Sequence, residues 1–161
     1  MSLPASYPPM SPYLTVKGAA KAIEFYKAAF GATELYRLSD AATGAIGHAE
    51  IMLNGSHLML SDENLEWGNK SPETLAGTPV NLCLIVENAD AAVERASAAG
   101  AIVLRPPADM FYGFRSASIR DAFGHLWMIQ HEIEKVSPED MQTRWAAMLA
   151  GGAECPAAKD S

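Results

Sequence analysis

Cysteine is scarce: the 161 residues hold two, Cys83 and Cys155. Thiols so far apart, one inside a strand-like segment and the other in a tail, build no disulfide framework and read as free thiols of a reducing compartment. A chain of this length buries roughly two-thirds of the surface its unfolded form exposes, so it folds without disulfide or metal staples. Long apolar runs are also missing. No stretch approaches the roughly 18 residues of a membrane span, and the opening MSLPASYPPMSPY puts prolines where a signal peptide needs an unbroken apolar run. The expectation is a cytoplasmic protein with no membrane partner. Basic residues are few, 12 Lys and Arg against 19 Asp and Glu for a formal net charge of −7, and they form no cluster. Such a field repels phosphate backbones and argues against nucleic acid as a partner. There is no Gly-rich phosphate loop, nucleophile-elbow serine or His-Glu-x-x-His helix. The sequons at Asn54 and Asn69 read as turn chemistry.

What is present is a regular alternation of elements. Leu14 to Val16 is strand-like, and Ala19, Ala22, Ile23, Tyr26, Ala29 and Phe30 then follow helical spacing up to Gly31 as C-cap. Strands are expected at Thr33 to Ser39, Gly47 to Leu53 and His57 to Ser61, the last two joined by an Asn54-Gly55 hairpin turn. The same order returns: a strand over Pro79 to Val86, and a helix over Ala89 to Ala99 capped by Asn88 and ended by Gly100. Strands follow at Ile102 to Arg105, Arg115 to Arg120 and Leu126 to His131. Laying Tyr13 on Cys83, an offset of 70 (83 − 13), matches Leu14 with Leu84, Val16 with Val86 and Glu24 with Glu94. The chain is thus a tandem repeat of a βαβββ module. The modules span residues 11–64 and 79–134, with a polar linker or lid over 65–78 carrying Trp67. A helix over 137–150 starts at Ser137-Pro138, its apolar face fitting either its own subunit or a partner, and a tail follows over 151–161.

Several segments carry a family resemblance. They are Ser11-Pro12-Tyr13-Leu14, His48-Ala49-Glu50, Leu58 to Glu63, Gly77 to Val80, Phe111-Tyr112-Gly113, Asp121 to His125 and Val136 to Met141. With the repeat, they resemble the vicinal oxygen chelate superfamily of glyoxalases, bleomycin resistance proteins and extradiol dioxygenases, in its PhnB-like branch. The resemblance implies an α+β fold in which two βαβββ modules curl into an open mixed sheet around a small-molecule cavity. It also implies pairing of two chains as a homodimer.

Metal-dependent relatives place ligands on the first and last strand of each module. The matching positions here are Ser11, Met59, Asn81 and Met128, and serine, thioether and amide groups make no site for a hard divalent cation. No cofactor is therefore expected, though the histidines leave room for an unorthodox metal. Strand alternation sends His48, Glu50, Met52, His57, Met59 and Ser61 into the cavity, and turns His125 and His131 toward the helices. The expected ligand-binding residues are Tyr13, His57, Met59, Asn81, Tyr112, Phe114, Arg120, Met128 and Gln130, with Thr15, Ser116 and Ser118 as further polar lining. Cys83 counts among the residues on the cavity side, with small core filler rather than an activated thiol as its expected role. The favoured function is metal-free binding of a small organic ligand. The alternative is a glyoxalase-like lyase or isomerase, or a dioxygenase-related enzyme, with Glu50 as base and His48 as its orienter.

Overall fold

The computed structural model describes residues 7–151. The first module runs β1 (Tyr13–Val16), α1 (Ala19–Phe30), β2 (Thr33–Ser39), β3 (Ile46–Leu53) and β4 (Ser56–Asp62). A short α2 (Pro72–Leu75) follows inside the linker. The second module runs β5 (Asn81–Ile85), α3 (Ala89–Ala98), β6 (Ile102–Asp109), β7 (Phe114–Arg120) and β8 (Leu126–Glu132), and α4 (Pro138–Ala150) closes the chain. Local chemistry sets these limits. Gly31 ends α1 at φ 70°, the Asn88 side chain caps α3 by accepting from the Ala91 N–H, and Asn54 and Gly55 turn the β3–β4 hairpin with φ of 47° and 81°.

Each module forms its own four-stranded mixed sheet, ordered β1-β4-β3-β2 and β5-β8-β7-β6, with the outer β1 and β5 running parallel to β4 and β8. The helices α1 and α3 pack against each other and cover the apolar faces of both sheets. Expectation and structure differ most in β6, which continues through Pro106 and Pro107 to Asp109 rather than ending at Arg105. It is an edge strand with two register shifts against β7, so its prolines interrupt no ladder on the outer side.

The modules are joined by polar contacts beneath the helices. Asp121, only 3% exposed, accepts from Tyr26 Oη of α1 and Trp127 Nε1 of β8, both at 2.8 Å, and from the N–H groups of Phe123 and His125. Burial first, and then the Asp121 charge, push the Tyr26 phenol well above its ordinary pKa. His125 reaches the Thr15 carbonyl at 3.1 Å and His131 accepts from the Ala89 N–H at 3.0 Å, so both imidazoles serve the frame and not the cavity.

The linker is built, not loose. Ser71 caps α2 and is fully buried, and Glu63 accepts from its N–H and hydroxyl and from Thr74 Oγ1. The helix α4 rides on its own chain: Trp145 packs on Phe111 at 5.4 Å between ring centroids, and Arg144 clamps Glu134 at 2.7 and 2.8 Å. Gly113 is no hinge. A Cβ there would sit 2.2 Å from the Glu134 carbonyl oxygen at a φ of 86°, so the glycine exists to let two backbones touch. Cys155 and the tail beyond Gly151 lie outside the described residues.

Candidate functional site

The open face of the first sheet collects the polar side chains. One row crosses all four strands, with Tyr13 of β1 opposite Met59 of β4, Met59 opposite Glu50 of β3, and Glu50 opposite Tyr36 of β2. The neighbouring rows bring His57 opposite Met52 and Leu38 opposite His48. Their partners Ala49, Ile51, Leu58 and Leu60 point the other way into the core.

Glu50 is the hub of this face. It is 1% exposed yet charged, because its carboxylate takes four donors. Oε1 accepts from Tyr36 at 2.7 Å, Tyr7 at 3.2 Å and His48 Nε2 at 3.2 Å, and Oε2 meets His57 Nε2 at 2.8 Å. Burial alone would raise its pKa; the hydrogen bonds from Tyr36, His57, His48 and Tyr7 outweigh it and hold the group at about 2. The same contact pushes the Tyr36 phenol above its ordinary range. A carboxylate in this state only accepts, so each imidazole carries a hydrogen on Nε2. With the hydrogen on Nε2, Nδ1 is the nitrogen that can accept. Tyr13 Oη lies 3.0 Å from Nδ1 of His48, and Ser11 Oγ lies 2.7 Å from Nδ1 of His57. Two hydroxyls, two imidazoles and one carboxylate thus form two relays that converge on Glu50. Tyr7, Tyr36 and the contact of Ser11 were absent from the sequence-based expectation.

The other expected residues divide between separate places. Asn81 and Cys83 join His57 along a cleft of about 610 Å³ between β4 and β5, whose walls also carry Met10, Met52 and Leu58. Cys83 is exposed there, contrary to its expectation as core filler, since β5 turns it toward the open face. Partial burial raises its thiol pKa, so it is not activated. Gln130 donates to Cys83 Sγ at 3.2 Å. Met128 lines a small pocket of about 120 Å³ with Tyr112, Ser116 and Ser118, and the Tyr112 and Phe114 rings lie 6.0 Å apart beside it. Arg120 borders another groove with Asp121 and Gly124, whose lining does not include Glu50. Trp67 stands 78% exposed at a groove of about 350 Å³ that Leu38 and Ser61 share. Among the described residues, the pocket that Met128 lines does not include Glu50.

The donor set at the four positions that metal-dependent relatives use fits no divalent cation. Ser11 is engaged by His57, Met59 and Met128 offer thioethers, and Asn81 offers a neutral amide. Among the described residues no group of three or more His, Cys, Asp or Glu is placed to hold a metal ion. No described helix is long and apolar enough to cross a membrane.

Comparison with known proteins gives a consistent picture. Residues 10–129 match the family model of the Glyoxalase/Bleomycin resistance protein/Dioxygenase superfamily. An uncharacterized protein of Mycobacterium bovis is 39% identical over 148 residues, covering 90% of this chain and 95% of that protein. Among solved structures, a gene product from Arabidopsis thaliana is similar with a TM-score of 0.62 and 28% identity, over 77% of this chain and 98% of the other. A PhnB protein from Bacillus cereus, described as a putative 3-demethylubiquinone-9 3-methyltransferase, shares the fold with a TM-score of 0.59 and 18% identity, over 77% and 99% of the two chains.

Proposed function

Because the chain belongs to the glyoxalase/bleomycin resistance protein/dioxygenase superfamily, we propose that it binds a small organic molecule on the open face of its first sheet without a divalent metal. The observation that carries this reading is the Glu50 hub, a buried charge fully served by protein donors where a ligand-binding face needs a rigid floor. Around it, Tyr13 and His48 present polar edges, and Met59 and Met52 supply adaptable apolar surface. The adjoining cleft brings Asn81 within the same reach as His57. On the second sheet, further ligand contacts would come from Tyr112 and Met128 of the smaller pocket with Phe114 beside it, from Arg120 at its own groove, and from Gln130 next to Cys83. Pairing of two chains is part of it: Leu38, Ile85 and Ile102 are exposed on the open faces, apolar surface that a second copy would cover.

The test uses the full chain before and after exhaustive chelation, with elemental analysis of each preparation. A thermal-shift panel of small aromatic and cationic compounds supplies the ligands, and those that raise Tm are titrated against both preparations. The expected result is a Kd unchanged by chelation. A stoichiometric divalent metal whose removal abolishes binding would overturn the reading.

Acid/base chemistry is the second reading, and one observation favours it: the hydroxyl–imidazole–carboxylate relay through Tyr13, His48 and Glu50. In that case the expected roles exchange. A carboxylate held near a pKa of 2 is a weak base, so Glu50 orients and His48, with its side chain 22% exposed, moves the proton.

A further inference from the structure

The second relay is the shorter and better buried one. Ser11 Oγ is 2.7 Å from His57 Nδ1, and His57 Nε2 is 2.8 Å from Glu50 Oε2. The imidazole is 6% exposed, and the backbone beside Ser11 is pinned where the Pro12 carbonyl accepts from the Met59 N–H at 2.9 Å. Because the Glu50 carboxylate can only accept, His57 holds its hydrogen on Nε2 and turns the lone pair of Nδ1 on the serine hydroxyl. This is the arrangement of nucleophile, base and orienting acid that activates a serine, reached without a strand-to-helix elbow.

We propose that Ser11 is an activated nucleophile that accepts the acyl group of a small ester or thioester seated in the 610 Å³ cleft. Ser11 is not itself in the lining of that cleft; it adjoins it through His57, which lines the cleft 2.7 Å from Ser11 Oγ, and through its chain neighbours Met10 and Pro12. Met52, Leu58 and Leu84 make its walls apolar, which with the chain's net charge of −7 selects an uncharged or cationic acyl donor over an anionic one. As Oγ bonds to the carbonyl carbon, its proton passes to His57 Nδ1 and the carbonyl electron pair moves onto oxygen. The Asn81 amide, which also lines the cleft, is the donor type that meets such an oxyanion. Collapse breaks the bond to the leaving alkoxide or thiolate, which takes the proton from Nδ1. Water then repeats the two steps, releasing the carboxylic acid and restoring the serine. The inference goes beyond the ligand-binding reading while sharing its Glu50 hub and adjoining cleft, and the reactivity of the Ser11 hydroxyl is read out without any ligand of that face.

The test is sulfonylation of the full chain by phenylmethanesulfonyl fluoride at neutral pH, in which an Oγ–S bond forms, the S–F bond breaks and fluoride leaves. One adduct per chain is expected, mapping to the peptide that carries Ser11 and not to Ser56 of the same cleft. Ser11→Ala abolishes it, and Glu50→Gln slows it at least about 100-fold, the lower end of a general-base contribution. Thermal unfolding establishes that each variant is folded. Ser11→Cys leaves the hub intact and gives a second readout, alkylation of the introduced thiol by iodoacetamide faster than Cys83 in the same chain. No adduct at Ser11, an unchanged rate in folded Glu50→Gln, or an introduced thiol in Ser11→Cys that reacts no faster than Cys83 would each overturn the proposal.

Discussion

Asp121→Ala lowers the unfolding free energy by about 4 kcal/mol, the loss expected when one member of a buried hydrogen-bonded network is removed. Four donors converge on this carboxylate, and two of them, the Tyr26 hydroxyl and the Trp127 indole N–H, have no water within the core to turn to. Tyr26 and Trp127 are also packed ring to ring at 5.6 Å, so disturbing one shifts the other. The cost is borne at the junction of the modules, because Tyr26 belongs to the first and Asp121 to the second. Asp121→Asn keeps an accepting oxygen and loses less. Urea unfolding of wild type and both variants measures this, and a loss below about 1 kcal/mol for the alanine variant, the scale of a single ordinary hydrogen bond, would show that the junction rests on apolar packing alone.

Glu50→Ala carries the second large effect, about 3 kcal/mol, since it strips the partner from two phenols and two imidazoles at once. Its signature is a change in pH dependence. The folded-state pKa of Glu50 is held near 2, below the ordinary 4.5. A depressed carboxylate contributes its full stability above the unfolded value and loses it as pH falls from about 4.5 to about 2. Glu34, held at about 2 mainly by Arg37, and Glu63, held at about 2 mainly by Thr74 and Ser71, act in the same direction. Wild type is therefore expected to weaken across this window, and Glu50→Ala to weaken less steeply. Parallel acid limbs for the two proteins would contradict the charged state assigned to Glu50.

Much of this fold was legible in the sequence because its signals are local. Asn54-Gly55, Asn88 and Gly31 each mark a turn or cap by chemistry confined to a few residues, and the offset of 70 between the modules repeats the pattern. Alternation along β3 and β4 put His48, Glu50, His57 and Met59 on one face, as observed. Tyr36 was not legible for a specific reason. The register of β2 against β3 shifts between Glu34 and Tyr36, so strict alternation from Thr33, which pairs with Met52, would leave Tyr36 on the opposite face from Glu50. The bulge also brings Glu34 and Arg37 together on the helix side. Tyr7 belongs to an irregular segment with no periodicity to read. Alternation put Cys83 on the cavity side, and its reading as core filler failed because β5 is an edge strand whose open face leaves it exposed. The division of the polar residues between two sheets is a matter of tertiary placement, which spacing within each strand does not encode.

One ionised carboxylate orients two imidazoles whose free nitrogens receive hydroxyl protons. Nitrogen-15 NMR of the histidine rings at neutral pH tests this arrangement most directly. Hydrogen is expected on Nε2 of both His48 and His57, with each Nδ1 shifted as a hydrogen-bond acceptor, and Ser11→Ala and Tyr13→Phe are expected to move the Nδ1 signals of His57 and His48 respectively. Either ring carrying its hydrogen on Nδ1, or indifference of both signals to these variants, would contradict it.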